Sequence, residues 1–302
     1  MDSLDSAMPP CAIAILMTCH NRKATTLDCL EALHAQAGLE GRAGFRVFLL
    51  DDGSTDGTGE AVAAKFPEVR VLQGDGTYYW AGGMRRAWED ATAWDADAYL
   101  WLNDDTYLDP DALDRFCRLH QEMGLASRGG ILVGTTRDPL SGAPTYGGSR
   151  QTSRMRPFQL SLIVPGAVPI RCDTFNGNCV WIPRCVVGEL GKIDDVFIHG
   201  MADTDYGFRA KRRGIPSWVI PGTIGTCARN PGGLPWEADG ISFVTMWRKI
   251  LSPKGLPPRG WMHISLKYGG CLGPLYAIWP YLKLLRFSLR RLISSGRRCN
   301  VP

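Results

Sequence analysis

The chain has 302 residues, 45% hydrophobic and 21% charged. That is close to the globular average, which excludes wholesale disorder, and the length allows a sizeable core without covalent staples. Ten cysteines with no CxxC pair do not make a disulfide scaffold, a zinc ribbon or a redox motif, and the net charge of +4 is unevenly divided: residues 241–302 hold 11 Lys and Arg and no acid, which leaves −7 for the remainder.

In chain order, residues 12–18 (AIAILMT) are a short continuous apolar run and predict a buried strand. Helical spacing follows over 25–37. A second strand is predicted at 46–50, a helix over 58–65 capped by Asp56 or Thr58, and a third strand at 69–73. A helix over 83–92, a fourth strand over 98–102 (AYLWL) and a proline-opened helix over 110–122 complete this half. The alternation predicts an α/β chain: a Rossmann-like, mostly parallel central sheet flanked by helices.

Residues 129–169 are rich in Gly, Pro, Ser and Thr and read as short strands and loops. Strands are predicted at 175–183 and 216–220, with a loop at 194–198 and a helix over 203–213 closed by Gly214. Residues 231–239 read as a loop. In the tail, Gly269, Gly270, Gly273, Pro274 and Pro280 predict short pieces, followed by a basic amphipathic helix over 281–293. Its apolar face is Leu282, Leu285, Leu289, Leu292 and Ile293, with Lys283, Arg286 and Arg290 beside it. The expected division is a domain at 1–240, with halves at about 12–125 and 126–240, and a basic C-terminal helical extension at 241–302. The first ten residues carry two Asp and no Lys or Arg, so no export leader is expected.

In a parallel sheet, ligands sit beyond the carboxyl ends of the strands. Three polar clusters stand there: Thr18–Arg22, Asp51–Thr55 and Asn103–Thr106. The Asp51/Asp52 pair can accept hydrogen bonds from a nucleobase or ribose, or belong to a capped strand-to-helix turn. Asp104 and Asp105, adjacent at a strand end, repel one another unless a cation balances them, and hard oxygen ligands suit Mg²⁺ or Mn²⁺; the alternative is a solvated loop capping the next helix. Asp203 and Asp205 at a helix start point differently, so that one can face a pocket while the other caps the helix or pairs with Arg209. His199 reads as a packing or hydrogen-bonding residue. Gly82 and Gly83 at a helix start can bring backbone N–H groups near a phosphate, and Tyr79 and Trp80 can wall a sugar pocket or belong to the core.

Taken in order, TCHNR (Thr18–Arg22), DDGSTDGT (Asp51–Thr58), NDD (Asn103–Asp105) and ADTDYGFR (Ala202–Arg209) resemble the family 2 glycosyltransferases, which have the GT-A fold. GTYYWAGGMRRA and FIHGMADTDYGFRA are similar to a branch that builds bacterial surface polysaccharides such as O-antigen or capsule, rhamnosyltransferases included. The resemblance implies inverting transfer from a nucleotide-diphosphate sugar to a hydroxyl of a glycan or lipid-linked glycan. It implies that Thr18, Asn21, Arg22, Asp51, Asp52, Gly82, Gly83, Asn103 and Asp104 serve the donor and that Asp105 holds Mg²⁺ or Mn²⁺. Asp203 would deprotonate the acceptor hydroxyl. His199, Asp205, Arg209 and Trp80 would lie beside the acceptor or behind it. Independently of the resemblance, Arg229, in TCARN after the last predicted strand, can contact the diphosphate.

The chain departs from the family pattern in three places. Ala202 stands where many members have Glu, Asn103 where an acid is common, and Arg85-Arg86 where Arg-Asn is common. The basic tail fits a lipid-linked acceptor: it would lie on the anionic inner face of the cell membrane, making the protein cytoplasmic and peripheral, or else pack on the protein itself. No nucleic-acid motif accompanies it. Two other functions compete. A sugar nucleotidylyltransferase expects a Gly-rich basic loop after the first strand, where this chain has TCHNR without glycine. A non-catalytic nucleotide-sugar or glycan-binding module would treat Ala202 and Asn103 as decay.

Overall fold

The computed structural model describes residues 11–153, 155–230, 236 and 241–298, with side chains up to 288. The chain divides into two compact units. One holds the chain up to Gln151 together with Leu160–Asn230; the other holds Thr152–Gln159 and the chain from Pro231 onward.

The first unit opens with β1 (Cys11–Cys19), α1 (Lys23–His34), β2 (Ala43–Asp51), α2 (Thr58–Lys65), β3 (Arg70–Gln73), α3 (Tyr79–Ala91) and β4 (Ala98–Leu102). Ile13–Met17 and every residue of β4 are buried, as strands covered by helices on both faces must be. The chain continues through β5 (Tyr107–Leu108), α4 (Ala112–Glu122), α5 (Leu125–Arg128), β6 (Ile131–Arg137), β7 (Gly148–Gln151), β8 (Leu160–Leu162), β9 (Ile170–Cys172) and β10 (Thr174–Phe175). It closes with β11 (Cys179–Pro183), α6 (Arg184–Leu190), α7 (Ala202–Arg212) and β12 (Ser217–Thr226).

Strands pair in the order β3-β2-β1-β4-β11-β6-β12-β5, with β9 on β12; β10, β7 and β8 form a second, small sheet. The pairs β3–β2, β2–β1, β1–β4 and β6–β12 are parallel, and β11 runs antiparallel between β4 and β6. The mostly parallel sheet flanked by helices is the predicted α/β architecture. The chain winds outward from β1 to β3 and then returns to β4 on the other side of β1. That reversal makes the carboxyl ends of β1 and β4 the topological switch point, where open α/β sheets bind ligands.

Several boundaries differ from expectation. α3 begins at Tyr79, four residues before the predicted start, because the Asp52 carboxylate accepts the N–H groups of Gly76, Tyr78 and Tyr79 and fixes the first turn. The strand expected at 175–183 is split into β10 and β11, and β12 runs to Thr226, beyond its predicted end at 220. The loop expected at 231–239 lies outside the described residues, apart from Trp236.

The second unit contains α8 (Phe243–Leu251), α9 (Pro258–Tyr268) and α10 (Gly273–Arg298). The tail is not broken into short pieces: α10 carries Pro280 in its interior, and Pro274 stands at its start, where proline's missing N–H costs nothing. Trp236, Met246, Ile250 and Leu284 form its core. The buried stripe of α10 is therefore Ala277, Leu284 and Ser288, with Tyr281 partly buried. Leu282 and Leu285, expected to share an apolar face, are at the surface. The side chains of Leu289, Leu292 and Ile293 lie outside the described residues.

Candidate active site

The first cluster spans the switch point. β1 and β4 run side by side (Leu16 opposite Trp101), so the loops after Cys19 and Leu102 meet. Arg22, at the start of α1, donates from Nη1 to Asp104 Oδ1 and to Asp105 Oδ2, both at 2.9 Å. Asp104 is buried and also accepts from Thr26 Oγ1 at 3.4 Å. Burial pushes its pKa up to about 6 against the downward pull of Arg22. Asp105 keeps 27% of its side chain exposed. Its Oδ1 faces the Cys227 thiol at 3.6 Å, just beyond the end of β12. Burial pushes that thiol up to about 12, so it donates to Asp105 as a neutral group. The buried Cys29 thiol donates to the carbonyls of Asn103 and Thr106 and ties the loop to α1.

The second cluster follows β2. Asp51 and Asp52 are both buried. Asp51 Oδ1 accepts from Ser54 N at 3.0 Å, and its other oxygen lies against Gly59 with no room for a Cβ. Asp52 takes the three backbone donors that start α3. These acids fix the turn after β2 and the start of α3 through backbone donors. Asn21 links the first and second loops: its N–H donates to Ser54 Oγ at 2.8 Å and its Oδ1 accepts from Thr55 N at 2.7 Å. Thr18 packs on Gly83, where any Cβ would collide with it.

With the early start of α3, Gly82 and Gly83 follow the helix start and do not open it. Both lie within the helix, and the N–H groups of Ala81 and Gly82 already donate to the Ile198 carbonyl at 3.0 and 3.3 Å. Gly83 serves close packing against Thr18.

The third cluster joins the acids to Asp203. Trp80 Nε1 donates to Asn103 Oδ1 at 2.7 Å, and Trp80 N approaches His199 Nδ1 at 3.4 Å. The same indole packs on Gly177, where a Cβ would overlap the ring. Gly177 N donates to Asp203 Oδ2 at 3.0 Å, and Asn103 N donates to the Asn178 carbonyl at 3.0 Å. Asn103, Trp80, the 177–178 turn and Asp203 thus form one contiguous chain of contacts along one sheet edge. Asp203 is half-buried at the start of α7. Burial raises its pKa, partly offset by the N–H groups of Thr204 and Gly177.

Asp205 and Arg209 pair within α7 at 2.8 Å, while Arg209 donates to the carbonyls of Leu190 and Lys192. They anchor the helix that presents Asp203. Arg229 is exposed and donates to the Thr145 carbonyl at 3.3 Å.

Among the described residues three non-glycine residues hold positive φ: Asn21 (51°), Tyr79 (52°) and Met201 (70°). Asn21 and Tyr79 directly precede Arg22 and Trp80, and Met201 lies two before Asp203. Strain of this kind persists where the surroundings over-determine it, and it concentrates at functional sites.

Among the described residues no three His, Cys, Asp or Glu side chains gather as a metal cage. The donor set still fits a hard cation of the Mg²⁺ type. Such ions take one or two carboxylates and complete their shell with phosphate oxygens and water. Asp105 supplies one partly exposed carboxylate with an oxygen not held by Arg22.

Sequence reasoning did not single out Asn178, Gly177 or Cys227. Only the position of Cys227 after a predicted strand hinted at a role. The contacts of all three are long-range and leave no periodic trace.

The sequence profile of glycosyl transferase family 2 matches residues 14–178. The chain is 24% identical over 219 residues to the N-acetylglucosaminyl-diphospho-decaprenol L-rhamnosyltransferase of Mycobacterium tuberculosis, in strains CDC 1551 / Oshkosh and ATCC 25618 / H37Rv. That match covers 64% of this chain and 69% of each relative. The crystal structure of S. aureus TarS 1-349 superposes with a TM-score of 0.52 at 12% identity, over 72% of this chain and 60% of that one, which is a likeness of fold. With four ordered motifs on one sheet edge and a profile match over more than half its length, the chain belongs to glycosyl transferase family 2.

Proposed function

We propose that this enzyme moves a sugar, with inversion, from a nucleotide-diphosphate donor to a hydroxyl of a lipid-linked glycan in bacterial surface-polysaccharide synthesis. The likeness to the mycobacterial enzymes favours rhamnose as the sugar and a diphospholipid-linked amino sugar as the acceptor. The observation that supports the reading is the contact chain from Asn103 through Trp80 and Gly177 to Asp203, which ties this acid to the loop that carries Asp104 and Asp105.

Asp203 takes the proton of the attacking hydroxyl; burial raises its pKa, which makes it a stronger base than an exposed carboxylate. A single base beside the acceptor suffices for one displacement, and no second carboxylate nucleophile is needed. Arg22 offers positive charge to the departing diphosphate. Mg²⁺ or Mn²⁺ at Asp105, when bound, supplies Lewis-acid stabilisation of that leaving group. Trp80 walls the sugar between the two acids.

A thermal-shift series with UDP-, GDP- and dTDP-sugars, with and without Mn²⁺, tests the donor. One nucleotide is expected to raise Tm, by an amount that grows with concentration and with the cation. Absence of any shift across the series contradicts donor binding. A shift without transfer to any lipid-linked acceptor favours the binding-module alternative.

The second unit supports a site of work at the inner membrane face. No helix among the described residues is long and apolar enough to cross a membrane. α10 nevertheless leaves Leu275, Ile278, Trp279, Leu282, Leu285 and Phe287 between 37 and 52% exposed, in a region with no acidic residue. Apolar side chains enter the acyl boundary while each nearby Lys or Arg adds ~1 kcal/mol on an anionic leaflet. Co-sedimentation with phosphatidylglycerol vesicles is expected, with loss in high salt and in a Trp279→Glu, Leu282→Glu variant. Equal pelleting with pure phosphatidylcholine vesicles would contradict it.

A further inference from the structure

We propose that Arg22 guards the acid motif, so that cation binding at Asp105 is conditional on the donor. The inference rests on the cation reading above and concerns a residue of this chain. One nitrogen, Nη1, lies 2.9 Å from Asp104 Oδ1 and 2.9 Å from Asp105 Oδ2. A guanidinium there meets the same two carboxylates that a divalent ion would seek, and it is far more weakly hydrated than Mg²⁺, so it competes for them at little desolvation cost. Asp104 is buried behind it, which leaves Asp105 as the single accessible carboxylate, and one carboxylate dehydrates a small divalent ion poorly.

The guanidinium is built to hand over. Its side chain is 43% exposed, and Nε and Nη2 have no hydrogen-bond partner among the described residues. Those donors match the forked geometry of a diphosphate. When Arg22 turns to the diphosphate, Asp105 loses its counter-ion and the phosphate oxygens complete a cation's shell. Arg22 thereby imposes an order: donor and cation together, never the cation alone. Asn21, immediately before it, has φ of 51° and is tied to Ser54 and Thr55, which fixes the backbone that leads into Arg22.

Mn²⁺ binding followed by electron paramagnetic resonance tests this on the full chain without any turnover. Wild type is expected to bind Mn²⁺ weakly alone, and at least about ten-fold more tightly once a stabilising nucleoside diphosphate is present. Arg22→Ala removes one unit charge within hydrogen-bond distance of Asp105, so its nucleotide-free Mn²⁺ affinity is expected to rise by about ten-fold or more. Arg22→Lys, which keeps the charge, is expected to stay near wild type. Arg22→Gln serves as the neutral variant if the alanine form does not fold, judged by circular dichroism. An unchanged nucleotide-free affinity in the neutral variant, with wild type still binding Mn²⁺ in the presence of nucleotide, overturns the guarding role alone. Failure of wild type to bind Mn²⁺ even with nucleotide removes the cation reading itself.

Discussion

Replacing Asp203 by Asn is expected to lower kcat by about 10²–10⁴-fold, the usual worth of a positioned general base. The donor KM should change little, because the proposed base would act on the acceptor hydroxyl and not on the nucleotide. The pH profile supplies the second signature. Asp203 works ionised, and burial raises its pKa, so the acid limb of kcat lies above the pH at which an ordinary carboxylate titrates. Activity climbs as pH rises through that value, and the Asn variant should lose this limb. The same shift is linked to stability with the opposite sign. A carboxylate whose pKa is raised by folding favours the fold while protonated, and this contribution fades as pH rises through the folded-state value. Steady-state kinetics from mildly acidic to neutral pH check both halves. Full transfer by Asp203→Asn would remove it from the reaction.

Trp101→Ala is expected to cost about 3–5 kcal/mol of stability, the range for truncating a large buried aromatic. Trp101 is fully buried on β4, one residue before the strand's end. Its ring lies 5.7 Å from Trp80 and from Trp88 on α3, 5.1 Å from Tyr206 on α7 and 6.3 Å from Phe175 on β10. It supports both α3, which carries Trp80, and α7, which carries the proposed base, so activity should fall together with stability even where the variant stays folded. Trp101→Phe should recover much of the loss. It keeps a ring in place and removes an indole N–H that has no hydrogen-bond partner. Urea denaturation of the three proteins checks the order; alanine and wild type unfolding at the same midpoint would contradict it.

The parallel half of the sheet was legible because its signals are local. Ile13–Met17 and Ala98–Leu102 are continuous apolar runs, each followed by a polar turn, and the polar loops had to meet at one edge. The start of α3 was not legible. It is set by Asp52, more than twenty residues upstream, whose carboxylate holds Gly76, Tyr78 and Tyr79, so a Gly-Gly pair read as a helix start lies within the helix. α6 escaped notice because RCVVGEL is short, β-branched and interrupted by glycine. In the tail, tertiary packing overrode the breaking signal of Pro280, and the core around Met246 and Ile250 chose the Ala277/Leu284/Ser288 face. At the site, the paired acids and Asp203 could be named from the sequence. That Arg22 clasps Asp104 and Asp105, and that Trp80 joins Asn103 to the 177–178 turn, depends on contacts between residues more than twenty apart, where pattern carries no information.

The account turns on a single base acting opposite the leaving diphosphate, and the configuration of the product reports on that directly. Proton NMR of the first glycoside formed by purified enzyme, read by its anomeric coupling against the donor, should show inversion. A product with retained configuration would contradict a one-step displacement driven by Asp203.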